Sequence, residues 1–245
     1  GEPIRLFEKE PSPQELKKQG LEVFDLAKPA PIQAATAAAA PGLTLLEKLG
    51  VEGAGVFILR GPYEEPILST PYEPGPMGDI LVKDAGRFEA EVHRLLPKFG
   101  GRIPFGAIEN VSPVILGGLV SLVVDLNRDI TADEVKAYLR RWADSVGLYA
   151  VENLVMGSEV VAHSWKPVLD LSSVMVSGRR LVMVNIWYDP WMIELEVRKK
   201  ALLKKPLVAE LPEEAQTPGP RPYEKMATID DVLPLMPLKG KRVYV

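Results

Sequence analysis

Residues 168–188 read VLDLSSVMVSGRRLVMVNIWY, and this stretch decides how the chain must fold. Residues 168–176 and 181–188 are two runs of β-branched and long apolar side chains, with Ser177-Gly178-Arg179-Arg180 between them. Two such runs across a short turn-forming break predict a β-hairpin. A two-stranded hairpin is marginal in water, so further strands or a helix must cover its apolar face. The flanking sequence supplies both. Upstream, residues 148–155 read as a third strand. Before it, Thr131-Ala132-Asp133-Glu134 has the spacing of a capping box, and Val135, Leu139, Trp142 and Val146 recur on one helical face. Residues 115–126 form the strongest strand signal in the chain.

Further out, residues 86–99 place Phe88, Val92, Leu95 and Leu96 at amphipathic helix spacing. Residues 61–79, dense in proline and glycine, read as a long stiffened loop. Residues 51–60 read as a buried strand. Residues 31–50 are alanine- and leucine-rich, which predicts a helix kinked or restarted at Pro41. So many alanines imply a helix lying very close to another backbone. Downstream, residues 191–203 are a closing helix. The fold class expected is therefore α+β, a single mixed or antiparallel sheet covered by helices. Residues 30–203 form the body. Residues 1–29 are an arm with one short helix opened by Ser12-Pro13-Gln14-Glu15 and stopped at Gly20, then a short strand over 21–26. Residues 204–245 are a proline-rich extended tail.

Composition narrows the chemistry. The chain has 245 residues, 47% hydrophobic and 25% charged, which is ordinary for a globular protein with a real core. It has no cysteine, so disulfides, thiolate metal ligands and cysteine nucleophiles are all absent. Two histidines, His93 and His163, leave no basis for a histidine-rich metal site. The net charge of −4 argues against nucleic acid as a partner. The longest apolar run, residues 113–124, is short of the roughly 20 residues that span a bilayer. The chain opens without a charged-then-apolar leader, so no signal peptide is expected, and a cytoplasmic location is. Asparagine and glutamine together number eight, against 23 prolines and abundant charge, a pattern expected of a thermophile.

Several short segments carry a family resemblance. Ile186-Trp187-Tyr188-Asp189-Pro190-Trp191 is similar to the S-W-Y-D-N-E-W segment before the last helix of phosphorylating glyceraldehyde-3-phosphate dehydrogenases. Gly50-Val51-Glu52-Gly53 is similar to that family's G-I-V-E-G, and Ala40-Pro41 to the end of its S-C-T-T-N-C-L-A-P. Residues 122–135 parallel a further strand and capped helix. Together these resemble the family's catalytic, C-terminal domain over about residues 30–203. The resemblance places the family's catalytic cysteine at Ala34, its general-base histidine at Leu59 or Arg60, and its nicotinamide-binding asparagine at the gap beside Pro190. An arginine for substrate phosphate falls near Val111. None of the four roles finds its residue at the position the resemblance assigns, and alanine can supply neither a thiolate nor a base. No G-x-G-x-x-G follows a strand either, and Gly53-Ala54-Gly55 is a lone G-x-G with no helix after it, so no dinucleotide cofactor is expected.

What remains as candidate site chemistry is an anion site built from Arg60, Arg102, His163, Arg179 and Arg180, set against solvated charges on loops and a hairpin turn. No catalytic and no metal-binding residues are assigned. Ser172-Ser173 and the aromatic residues Trp187, Tyr188 and Trp191 read as packing residues. In the tail, Leu233-Pro234-Leu235-Met236-Pro237-Leu238 ahead of Lys239, Lys241 and Arg242 could dock on this domain or on a partner. The expectation is a non-catalytic dehydrogenase-like domain acting in assembly, as a scaffold or in binding. It would be a homo-oligomer or a subunit of a larger complex, since the family's sheet makes much of its subunit contact. The alternative is a subunit of a split enzyme, or a protein binding a phosphorylated or carboxylated metabolite.

Overall fold

The structure is a computed structural model, and it describes residues 30–61, 81–111, 117–152, 154, 161 and 164–216. The arm 1–29, most of the proline-rich loop, His163 and the tail after Gln216 lie outside the described residues. Seven strands form one sheet in the order β2-β3-β1-β4-β7-β6-β5. They are β1 (Val51–Arg60), β2 (Leu81–Lys83), β3 (Phe105–Val111), β4 (Gly118–Leu126), β5 (Tyr149–Val151), β6 (Val168–Ser177) and β7 (Leu181–Tyr188). β1 runs parallel to β3 and β5 to β6, while β2 with β3, β1 with β4, β4 with β7 and β6 with β7 are antiparallel. The sheet is mixed and the fold is α+β, as the sequence implied.

The hairpin that anchors the reading is present. Gly178 and Arg179 have φ of 57° and 69°, and the Arg180 N–H donates to the Ser177 carbonyl at 3.3 Å. Positive φ at both central residues matches the right-handed twist of the flanking strands. Register is broken between Asp170 and Met175, where β6 bulges. Side chains hold the bulge. Asp170 Oδ1 accepts from the Ser172 N–H at 2.9 Å and its hydroxyl at 2.5 Å, while the Ser173 hydroxyl accepts from the Asn185 N–H at 2.8 Å. Ser173 thus stands in for a ladder carbonyl that the bulge removes.

Four helices, α1 (Ala34–Glu47), α2 (Gly86–Leu95), α3 (Ala132–Trp142) and α4 (Pro190–Leu202), accompany the sheet. α1 lies on β4 and β7, and α4 packs on α1 in a further layer. Pro41 sits inside α1 without ending it, because the helix is buried on several sides and its packing outweighs the lost hydrogen bond. α1 approaches the sheet closely at Gly42. A Cβ added at Gly42 would stand 2.6 Å from Ile186 Cδ1 and 2.7 Å from Leu122 Cδ1. α2 packs on β3 by stacking Phe88 on Phe105, centroids 6.3 Å apart, and α3 lies on β6. The capping box of α3 forms as the spacing predicts, with Thr131 Oγ1 accepting from the Glu134 N–H at 3.2 Å and Glu134 accepting from the Thr131 N–H at 2.8 Å.

Some expected elements and bounds need correction. β2 and β3 went unseen in the sequence; β3 reads FGAIENV, whose Gly106, Glu109 and Asn110 break the apolar pattern that a strand beside a helix normally shows. The helix expected over 86–99 ends at Leu95, and the strand expected over 148–155 is described only as Tyr149–Val151. Finally, the helices cover one face of the sheet. Val56, Ile58, Val120, Leu122, Val124, Val182, Val184 and Ile186 point into it and are buried. Their alternate neighbours point the other way, where no described helix packs, and Phe57, Ile108, Tyr149, Met175 and Leu181 are exposed there.

Candidate functional site

The end of the sheet where β1 finishes and α1 begins is where the resemblance puts catalytic chemistry. Ala34 is the first residue of α1, after an N-cap, Gln33, whose side chain makes no capping bond. The cap comes from another helix. Glu91 of α2, 8% exposed, accepts at Oε2 from the Gln33 N–H at 2.8 Å and the Thr36 hydroxyl at 2.6 Å. Its Oε1 accepts from Arg87 Nε at 3.0 Å. A carboxylate therefore rests on the positive end of α1, where the unpaired N–H groups of a helix favour an anion. An internal side chain holds the place an external anion or a nucleophile would use.

Arg60, the last residue of β1, is 8% exposed and pairs through Nε with Glu109 Oε1 at 2.6 Å. Next to Glu109, Asn110 Oδ1 is buried and, like Trp187 Nε1, has no hydrogen-bond partner among the described residues. Asn110, Leu59, Leu119 and Trp187 share one row across β3, β1, β4 and β7 on the face away from the helices. The cation that the resemblance aligned with a general base is consumed in a buried ion pair. Removing either partner of such a pair is costly, so it is a structural lock.

The candidate anion residues are distributed along the sheet. Arg180 lies at the opposite end of β1 from Arg60, bonding Glu52 at 2.6 Å, Asp125 at 3.3 Å and the Leu126 carbonyl at 2.6 Å. From Glu52 to Arg60 the strand rises about 25 Å, too far for the two arginines to hold one small ligand. Arg179 is exposed and reaches Asp129 at 3.4 Å. Arg102 is exposed in the turn before β3, at the hairpin's end of the sheet but separated from β7 by β1 and β4. His163 lies outside the described residues. Sequence reasoning missed the buried carboxylates Glu91 and Glu109, because the Gln33, Thr36 and Arg60 groups they hold stand 49 to 58 residues away in the chain.

Elsewhere, a groove of about 150 Å³ is lined by Pro41, Trp165, Lys166, Ile193, Lys200 and Leu207 among others. Lys166 donates to Asp144 at 2.9 Å, which raises its pKa, and lies 4.8 Å over the Tyr149 ring. Its charge is already committed. Among the described residues no group of three or more His, Cys, Asp or Glu could hold a metal, and no helix is long and apolar enough to cross a membrane.

Residues 81–190 match the profile of the glyceraldehyde 3-phosphate dehydrogenase, C-terminal domain. The chain resembles that domain. Relatives agree: glyceraldehyde-3-phosphate dehydrogenase 1 of Bacillus subtilis (strain 168) is 35% identical over 115 residues, 45% of this chain and 33% of the relative. Glyceraldehyde-3-phosphate dehydrogenase of Streptococcus pyogenes serotype M1 is 28% identical over 137 residues, covering 51% of this chain and 39% of the relative. That of Streptococcus dysgalactiae subsp. equisimilis is 31% identical over 99 residues, 39% of this chain and 28% of the relative. The matches thus span about a third of those dehydrogenases' length. The matched profile begins at β2 and ends at the first residue of α4, so α1 and β1, which carry Ala34 and Arg60, precede it.

Proposed function

We propose that the chain is a non-catalytic, dehydrogenase-like binding or assembly module that works through the uncovered face of its sheet. The observation that carries this reading is the exposure of Ile108 at 58%, Met175 at 55%, Tyr149 at 49% and Phe57 at 37% on one continuous sheet surface. Apolar exposure of that kind marks an interaction surface. Ala34 and the Arg60–Glu109 pair support the absence of dehydrogenase chemistry, since no thiolate or free base stands at those positions. The contact is with a second copy of the chain or another subunit of a complex, in the cytoplasm of a thermophile. Native mass spectrometry of the wild-type chain and of an Ile108→Asp, Met175→Asp variant tests it. The wild type should assemble, and the variant should be monomeric and still melt cooperatively, at a temperature that no longer depends on protein concentration. Aldehyde oxidation by the purified chain with a nicotinamide cofactor would sink the proposal, as would a wild type that stays monomeric and retains no partner.

A second reading is that the chain is one subunit of a split enzyme. Co-purification of one stoichiometric polypeptide from the source cells would select this reading over self-assembly.

A further inference from the structure

α4 is apolar on two sides. Ile193 and Val197 are buried in the hydrophobic core, yet Trp191 is 51% exposed, Leu202 44% and Leu203 48% on the outside. Trp191, the half-buried Leu195 and Leu202 follow at i, i+4 and i+11 on the outer surface, with the buried Arg198, paired to Glu194 at 2.6 Å, at i+7 between them. Large apolar side chains left exposed together at one end of a helix mark a surface that another segment covers. At its C-terminal end this surface is rimmed by the exposed Lys199, Lys204 and Lys205, and the last two carry no ion pair among the described residues. The surface is an apolar strip with a basic rim.

We infer that this strip is the docking site for residues 229–238 of the same chain, Ile229-Asp230-Asp231-Val232-Leu233-Pro234-Leu235-Met236-Pro237-Leu238. The chemistry is complementary: an acidic pair leads an apolar run, matching lysines beside leucines. Two prolines three residues apart hold the run out of helix and suit an extended peptide against an aromatic rail such as Trp191. The reach also fits. Residues 204–215 carry the chain from the end of α4 to α3, where the Ala215 carbonyl accepts from the Tyr138 hydroxyl at 3.2 Å and Ala215 is fully buried. Residues 217–228 are an equal length of chain, so Ile229 can return to the end of α4 without stretching further than the first leg did. The tail then doubles back and clamps the last helix. This site lies apart from the open sheet face, so it stands or falls independently of the proposed assembly.

The absence of cysteine makes the test direct. A full-length Lys199→Cys, Leu235→Cys variant is treated with a short bismaleimide, beside a control carrying Ile108→Cys and Leu235→Cys. The 199–235 pair should link within one chain at least about tenfold faster than the 108–235 pair. Adding Leu202→Asp and Leu203→Asp should remove that advantage; if that variant loses its melting transition, Lys204→Glu with Lys205→Glu should lower it instead. Equal rates for the two pairs, no 199–235 link, or links only between chains would each overturn the docking in cis.

Discussion

Ile186 and Ile108 are the same residue type in the same sheet, and they differ in what lies over them. Ile186 is fully buried under α1, with its Cδ1 close enough to Gly42 that a Cβ there would collide. Ile108, two strands away from β4 and facing the other way, is 58% exposed. The contrast extends over both faces: beneath the helices even the carboxylates Glu91 and Glu109 are paired internally, while the open face shows Phe57, Met175 and Leu181 to solvent. One side is covered by helices of its own chain, and on the other large apolar side chains stay exposed among the described residues.

The largest test of that contrast is a pair of identical truncations. Ile186→Ala should cost roughly 2–5 kcal/mol in denaturant unfolding, and Ile108→Ala should stay within about 0.5 kcal/mol for the monomer. Equal losses would erase the distinction between the faces. Next, Glu91→Ala should destabilise by about 1–3 kcal/mol, since the Gln33 N–H and Thr36 hydroxyl lose their acceptor inside the covered side. A neutral result would mean that the carboxylate does not cap α1. Thr131→Ala, which opens the capping box of a covering helix, should cost about 1 kcal/mol by the same measurement.

The smaller effects sharpen the boundary of the covered side. Burial pushes the Tyr138 hydroxyl up to about 12, from 10.0. Above pH 10 the unfolded chain loses that proton while the folded chain keeps it, so stability should fall as pH rises from 10 towards 12. Tyr138→Phe should flatten that fall; an unchanged pH profile would detach the phenol from the docked Ala215 segment. At the end of α4, Lys204 has φ of 52°, with the Lys205 N–H bonded to the Lys200 carbonyl at 2.9 Å and the Lys204 N–H to Ala201 at 3.2 Å. That closure favours glycine, so Lys204→Gly should stabilise the chain by roughly 0.5–1 kcal/mol in thermal unfolding.

Legibility followed the range of the interactions. The hairpin at Ser177–Arg180 and the Thr131 box came from residues that touch within a few positions, and the structure contains both. β3 was lost because its partner β1 is parallel and 49 residues distant at the Arg60–Glu109 pair, so no turn announces the pairing. The anion site could not be judged for the same reason. Arg60 and Arg180 are similar cations in sequence, and only the register of β1, β4 and β7 puts them at opposite ends of a strand.

The sequence by itself determined the four helices and five of the seven strands in order, the α+β class, the absence of thiol chemistry and the resemblance to a dehydrogenase domain, because those rest on local propensity and residue identity. Only the tertiary structure decided which sheet face the helices cover, that Glu91 occupies the head of α1, and that Glu109 takes up Arg60. Those outcomes depend on contacts between residues far apart in the chain, whose pairing is fixed by packing a whole sheet at once and leaves no periodic trace in the sequence.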